Sequence, residues 1–263
     1  MRLAHVTDLH FGSEEAAVVA GLRADLIEQN PDRVLVGGDL TMRARDDQFR
    51  AARELLDSAG RPWTCVPGNH DLPLDRLARA TRPLDAYERL VDAEAQPTVH
   101  DGGLRVLGLS TPRPYLWKGG LIDAGQAELI GSALAGAADL KVLLLHHPVF
   151  HSPQRPHETL VHGAGRALQA AAEAGVDVVL CGHDHVAAQI DLATVWPGLN
   201  RRMIGLMSGT ACSRRVRAGE SQSYTLLDLA GDRLSIIVRR WRDDAFHSSD
   251  VTVWHRSPGG WGP

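Results

Sequence analysis

Residues 64–73 read TCVPGNHDLP: an apolar run stops at Pro67-Gly68, and Asn69, His70 and Asp71 follow without a gap. Asn and His are costly near a core unless they have partners. The same event recurs four more times. LAHVT is followed by Asp8-Leu9-His10, VLVG by Gly38-Asp39, VLLL by His146-His147-Pro148, and VVLCG by His183-Asp184-His185. Side chains alternate faces along an extended chain, so Asp8 and His10 can point the same way at a strand exit, as can His183 and His185. Gly38, Gly68 and Gly182 each precede a candidate ligand, where glycine permits a sharp turn and close approach.

The apolar runs alternate with amphipathic ones over the first two-thirds of the chain. Strands are expected at Leu3 to Thr7, Arg33 to Val36, Trp63 to Val66, Leu104 to Leu109, Lys141 to Leu145 and Val176 to Cys181. Helices are expected at about 14–29, 46–59, 84–93, 124–135 and 165–174, with Asp123 as a cap and Gly60 and Gly175 as stops. This alternation predicts βαβ units and a layered α/β domain. The last third changes character: Arg202 to Ser208, Gln222 to Leu229 and Arg233 to Trp241 read as consecutive strands, with a turn at 230–232. Val251 to Trp254 adds one more, and together these predict a second, more antiparallel sheet packed on the first. A single domain over 1–256 is expected, with the Gly/Pro-rich 257–263 as a loose tail.

In α/β sheets the ligand crevice lies beyond the carboxyl ends of the strands, so the five clusters would converge on one rim. The donors are Asp8, His10, Asp39, Asn69, His146, His183 and His185: four imidazoles, two carboxylates, one amide and no thiolate. This mixture suits borderline divalent ions, manganese or iron first, with zinc, cobalt and nickel open. Seven donors are too many for one tetrahedral site. They suit two ions sharing a carboxylate, a standard arrangement for phosphoester chemistry at a spacing of about 3.5–4 Å. The charges agree. Two divalent ions bring four positive charges; Asp8 and Asp39 remove two, a hydroxide one and a phosphodiester the last.

Bulk properties narrow the field. The chain has 263 residues, 44% hydrophobic and 23% charged, with a net charge of -4 and 13 histidines counted neutral, which is no basic nucleic-acid footprint. Cys65, Cys181 and Cys212 make no disulfide framework and read as small buried hydrophobes. The opening MRLAHVTDLHFG goes directly into a strand pattern with no leader, and no apolar stretch approaches the ~20 residues of a membrane span. A cytoplasmic location is expected.

The ordered motifs DLH, GD, GNHD, HHP and GHDH, spread over residues 5–185, resemble those of the calcineurin-like metallophosphoesterases, and the short chain is similar to the class III cyclic-nucleotide phosphodiesterases. The resemblance implies a four-layer α-β-β-α sandwich, two mixed sheets flanked by helices, with a binuclear metal centre at one edge. By motif position it places Asp8, His10 and His185 on one metal, Asn69, His146 and His183 on the other, and Asp39 between them. His146 is preferred to His147 as the first residue off its strand. His70 is cast as a proton donor, or as a hydrogen-bond donor to phosphate, with Asp71 orienting its ring. The implied reaction is hydrolysis of a phosphodiester by a metal-bridging hydroxide.

A 3',5'-cyclic nucleotide is the first substrate expected. The alternative is broader action on small diesters such as glycerophosphodiesters, nucleotide-sugar pyrophosphates or DNA ends. A metal-free scaffold of the same fold would be expected to lose ligands, and a zinc amidohydrolase leaves GNHD unexplained. Substrate contacts are expected from Asn69, His70 and His147, and from two loops. Loop 149–163 offers Arg155, His151, His157 and His162, and loop 212–221 offers Arg214, with Arg215 and Arg217. Tyr115 and Trp117 read as a stacking rim or as packing residues; Trp241, Trp254 and Trp261 read as core or as a homodimer contact.

Overall fold

The computed structural model describes residues 1–262; Pro263, the last residue of the expected tail, lies outside them. Strands β1 (Arg2–Val6), β2 (Arg33–Val36) and β3 (Trp63–Cys65) run parallel, linked by helices α1 (Ala16–Gln29) and α2 (Asp46–Ser58). Helices α3 (Arg76–Thr81) and α4 (Asp85–Leu90) lead to β4 (Thr98–Asp101) and its antiparallel neighbour β5 (Leu104–Gly108). Helix α5 (Ala124–Ala133), strand β6 (Leu140–Leu144), helix α6 (Ala164–Glu173), strand β7 (Val178–Cys181), strand β8 (Ala188–Asp191), helix α7 (Leu192–Val195) and strand β9 (Ile204–Met207) follow. The chain ends in β10 (Ser223–Ala230), β11 (Arg233–Arg242), β12 (Ala245–Ser257) and β13 (Gly260–Gly262).

One sheet has the order β13-β12-β11-β10-β1-β2-β3 and the other β4-β5-β6-β7-β9-β8. The strands themselves explain why these sheets stack. In β6 and the residue after it, Val142 and Leu144 enter the layer between the sheets while Leu143 and Leu145 face the helices; in β7, Val178 and Leu180 face inward and Val179 and Cys181 outward. A strand buried on both faces reads as a continuous apolar run. Three apolar layers result. Leu22, Leu26, Phe49 and Leu56 lie under α1 and α2, Ile130 and Leu168 under α5 and α6, and Leu3, Leu35, Val142, Leu180 and Ile236 between the sheets. This is the α-β-β-α sandwich with two mixed sheets. Its inter-sheet layer also holds a polar group: His5 Nδ1 lies 2.8 Å from Ser208 Oγ, and burial pushes the ring down to about 3, so it packs uncharged.

Several local expectations recur in the structure. Asp123 and Gln126 form a reciprocal capping box at α5, and Gly60 and Gly175 leave their helices with φ of 66° and 75°. Two expectations need correction. The C-terminal strands do not form a sheet of their own: β10 pairs antiparallel with β1 and carries β11 to β13 into the first sheet, whereas β9 joins the second sheet parallel to β7. The central strand β1 needs a partner on the side away from β2, and β10 supplies it.

The loose tail is also absent over 260–262. Trp261 is fully buried, its Nε1 donates to Asp177 Oδ1 at 2.8 Å, and the Arg256 guanidinium lies 4.7 Å above its ring. Gly260, at φ 109°, allows that return because a Cβ there would lie 2.1 Å from the Arg202 carbonyl. Trp254 is likewise core, and Trp241 packs on Phe246. Trp261→Ala is therefore expected to lower stability by about 3–5 kcal/mol, read as a fall in the urea midpoint.

Candidate metal centre

Every motif from the sequence leaves the carboxyl end of a parallel strand. Asp8 and His10 follow β1, Asp39 follows β2, and Asn69 to Asp71 form a single 3₁₀ turn after β3. His146 and His147 follow β6, and His183 and His185 follow β7. Backbone bonds hold these exits together: Asp8 N–H donates to Gly38 O at 3.0 Å, His10 N–H to Asp39 O at 2.9 Å, and Gly182 N–H to His146 O at 2.9 Å. Asp8, His10, Asp39, His183 and His185 have left-handed φ of 55°, 48°, 52°, 74° and 60°. Such backbone costs on the order of 1–3 kcal/mol per residue, which the surrounding core must offset.

The side chains meet in two sets. In the first, His10 Nε2 lies 3.1 Å from His185 Nε2, 3.6 Å from Asp8 Oδ1 and 3.6 Å from Asp39 Oδ2. In the second, His146 Nε2 lies 3.2 Å from Asn69 Oδ1, 3.3 Å from His183 Nδ1 and 3.4 Å from Asp39 Oδ1. Asp39 thus offers one oxygen to each set.

Ring orientations follow from hydrogen bonds to carbonyls, which only accept. His146 Nδ1 donates to Gly37 O at 2.7 Å and His185 Nδ1 to Arg215 O at 2.5 Å, so both Nε2 atoms keep lone pairs for the cluster in the neutral rings. Asp8 Oδ2 accepts from Thr7 Oγ1 and His183 N–H, whereas buried Asp8 Oδ1 has no hydrogen-bond partner among the described residues.

Burial alone would raise the Asp8 carboxyl, but His185, His10 and His146 outweigh it and hold it well below the usual range. Asp39 is lowered likewise, against its burial, chiefly by His146. Burial opposes charge on His146, yet Asp39 and Asp8 lift it to about 9, while burial and His146 push His183 down to about 3. Converging lone pairs, an orphaned carboxylate oxygen and donor spacings near the ~3 Å expected for ligands about 2.0–2.2 Å from an ion fit a pair of divalent cations.

His147 does not turn away, as an extended chain would require. Its ring centroid is 4.9 Å from those of His146 and His183, and its Nδ1 lies 2.7 Å from Thr111 Oγ1. The expected role of Asp71 needs correction. Its carboxylate does not touch His70; it accepts from Leu40 N–H, Thr41 N–H, Thr41 Oγ1 and Gly68 N–H at 3.2, 2.9, 3.0 and 2.9 Å. It ties the exit of β2 to that of β3, because four donors already saturate its oxygens. Burial and the Asp39 charge push this carboxyl up to about 7. His70 is instead oriented by the Met42 carbonyl, 3.1 Å from Nδ1, and its Nε2 lies 2.9 Å from Arg215 Nη1.

Of the two substrate loops, the second reaches the centre through a different residue from the one first expected. Arg214 is exposed, whereas its neighbour Arg215 meets His70, and Arg217 Nε donates to Asp184 O at 3.0 Å. Arg155 is ion-paired with Glu158, and His151, His157 and His162 are exposed. Tyr115 and Trp117 are 71% and 58% exposed, so they are not core residues, and Arg79 lies 4.4 Å from the Trp117 ring.

The sequence reading also missed three supports: Thr7, Thr41 and Thr210, whose Oγ1 donates to Asp8 O at 2.6 Å. A hydroxyl beside each motif was the only signal for Thr7 and Thr41. The Met42 carbonyl has none, since every residue carries one. All three cysteines are free and buried, as expected.

Asp71→Ala is expected to cost about 3–5 kcal/mol, because it strands buried N–H donors. Thermal unfolding of the metal-free protein would show this as a large drop in Tm, while a change of under 1 kcal/mol would remove the bracing role.

The sequence pattern of the family described as calcineurin-like phosphoesterase matches residues 1–187. A glycerophosphodiester phosphodiesterase of Enterobacter lignolyticus is 28% identical over 199 residues, 70% of this chain and 71% of that protein. A probable cyclic nucleotide phosphodiesterase of a Synechococcus species is 24% identical over 157 residues, 56% of this chain and 58% of that one. Among solved structures, a purple acid phosphatase from yellow lupin superposes with a TM-score of 0.69 at 14% identity, covering 95% of this chain and 53% of that chain. At that identity the likeness speaks for the fold alone. With the family match spanning the five motif-bearing strand exits, this chain belongs to the calcineurin-like phosphoesterases, hydrolases built around a binuclear metal centre.

Proposed function

We propose that the protein hydrolyses small phosphodiesters at a two-metal centre, with glycerophosphodiesters and 3',5'-cyclic nucleotides as the candidate substrate classes. The observation that carries this reading is Asp39, whose two oxygens face two separate histidine sets. Asp8, His10 and His185 would hold one ion, and Asn69, His146 and His183 the other, with Asp39 shared. When bound, the ions would supply Lewis acidity and activate the attacking water. The longer alignment with a protein named for glycerophosphodiesters supports placing that class beside the cyclic nucleotides.

The chain's own residues do the positioning. Carbonyls of Gly37 and Arg215 keep His146 and His185 turned with Nε2 toward the centre. Asp71 and Thr41 hold the loops that carry Asp39 and Asn69 in one arrangement. His70 stands edge-on to His10, with ring centroids 4.8 Å apart, at the side where a phosphate would enter. Its Nδ1 is committed to the Met42 carbonyl, so Nε2 is the atom it turns to Arg215. Manganese or iron is the metal pair proposed for this donor set. The three free, buried cysteines lie outside the donor set.

Asn69→Ala and Asp39→Ala are expected to lower turnover by at least about a hundredfold and to lose bound metal, His147→Ala to lose far less, and His70→Ala to keep both ions while slowing turnover. Metal analysis paired with kinetics tests the set, and a missing ion in His70→Ala would make His70 a ligand. The substrate class is read by loading metal-stripped protein with manganese and offering bis(p-nitrophenyl) phosphate, cyclic AMP and glycerophosphoethanolamine. Turnover of the first is expected, and the ratio of the other two assigns the class. Two bound ions with no diester turnover would overturn the reading.

A further inference from the structure

Arg215 is bound to the centre twice, through different atoms. Its carbonyl accepts from Nδ1 of His185, and its Nη1 lies 2.9 Å from His70 Nε2 and 3.6 Å from Met42 Sδ. Because Met42 O can only accept, His70 carries its hydrogen on Nδ1, and Arg215 then donates to the Nε2 lone pair. In this arrangement Nε2 has no hydrogen to offer a phosphate. The guanidinium beside it has several.

The charges around Arg215 point the same way. Several part-buried arginines are matched by carboxylates, Arg239 with Asp25, Arg240 with Glu220, Arg155 with Glu158 and Arg201 with Asp177, while Arg79 and Arg217 donate to main-chain carbonyls. Among the described residues no carboxylate pairs with half-buried Arg215. An unmatched cation next to a site that itself collects cations is unfavourable unless an anion joins them. A guanidinium presents five N–H donors in a planar fork that suits phosphate oxygens, and one of them is engaged with His70.

Building on the phosphodiesterase reading, we propose that Arg215, positioned by His70, binds a non-bridging oxygen of the substrate phosphate and sets how strongly the site holds phosphate anions. His70 is then the positioning residue and Arg215 the contact. One consequence concerns charge. Hydroxide and a monoanionic diester together carry the same charge as the dianionic monoester formed from them, so with Arg215 included one positive charge stays unmatched before and after hydrolysis. Inorganic phosphate presents the same non-bridging oxygens to the guanidinium fork and is therefore expected to compete with substrate for Arg215.

The experiment uses the manganese-loaded full chain and the variants Arg215→Gln, Arg215→Lys and Arg214→Gln. Metal content is measured, together with the Kd of inorganic phosphate by calorimetry and kcat and KM on bis(p-nitrophenyl) phosphate. Arg215→Gln is expected to keep both ions, since the main-chain carbonyl on His185 remains. It should weaken phosphate binding and raise KM by about tenfold or more, with a smaller change in kcat. Arg215→Lys should recover part of the affinity, as a point charge without the fork. The effect at Arg215 should exceed that at Arg214 by about tenfold.

Unchanged phosphate affinity and KM in Arg215→Gln would overturn the proposal, as would loss of a metal ion, which would reduce the residue to a support for His185. A wild-type protein that turns over no diester, yet binds phosphate with Arg215-dependent affinity, would remove the phosphodiesterase reading and leave Arg215 as an anion-binding residue.

Discussion

Asp39 has to present its two oxygens in different directions, Oδ2 toward His10 and Oδ1 toward His146, from the end of a strand that is buried on both faces. Much of the local backbone answers to that demand. Asp39 itself sits at φ 52°, and Gly38 before it at φ 86°. The neighbouring loop passes so close that a Cβ on Gly68 would lie 2.1 Å from Asp39 Oδ1. The amide of His70 then caps the same oxygen at 2.8 Å. A carboxylate fixed from three sides cannot swing to satisfy one histidine set at the expense of the other.

The cost of this arrangement is spread over the sandwich. Five left-handed non-glycine residues and a buried group of like polar atoms are unfavourable by themselves. They sit at the ends of strands whose other residues fill three apolar layers, so the destabilised atoms are few and the supporting contacts many. Strain is placed where parallel strands all end on one side, because there the loops from both sheets can meet without interrupting either ladder.

Labour around the phosphate side is divided among residues that adjoin in the chain but not in role. Asn69 faces the histidines, His70 faces outward to Arg215, and Asp71 faces back into the loops it ties together. A 3₁₀ turn separates the three directions within three residues. The loop after β9 closes the ring: its backbone orients His185 and its side chain reaches His70, so one residue joins the ends of β3, β7 and β9.

The fold class and the candidate donors were legible in the residue order, because apolar runs buried on both faces and polar residues placed after each are local patterns. Asp8, His10, Asp39, Asn69, His146, His183 and His185 could be named from spacing, and the family from their order. Where a side chain's partner comes from far along the chain, the pattern carried no information. The sheet that β10 to β13 join, the burial of Trp261 against Asp177, the attachment of Asp71 to Thr41 rather than His70, and the choice of Arg215 over adjacent Arg214 all depend on contacts between distant segments. The sequence alone determined which chemistry-bearing groups exist and that they gather at one rim, since strand periodicity and glycine placement are local. Only the tertiary structure decided which group each one faces, since that depends on how loops from seven strands pack in space.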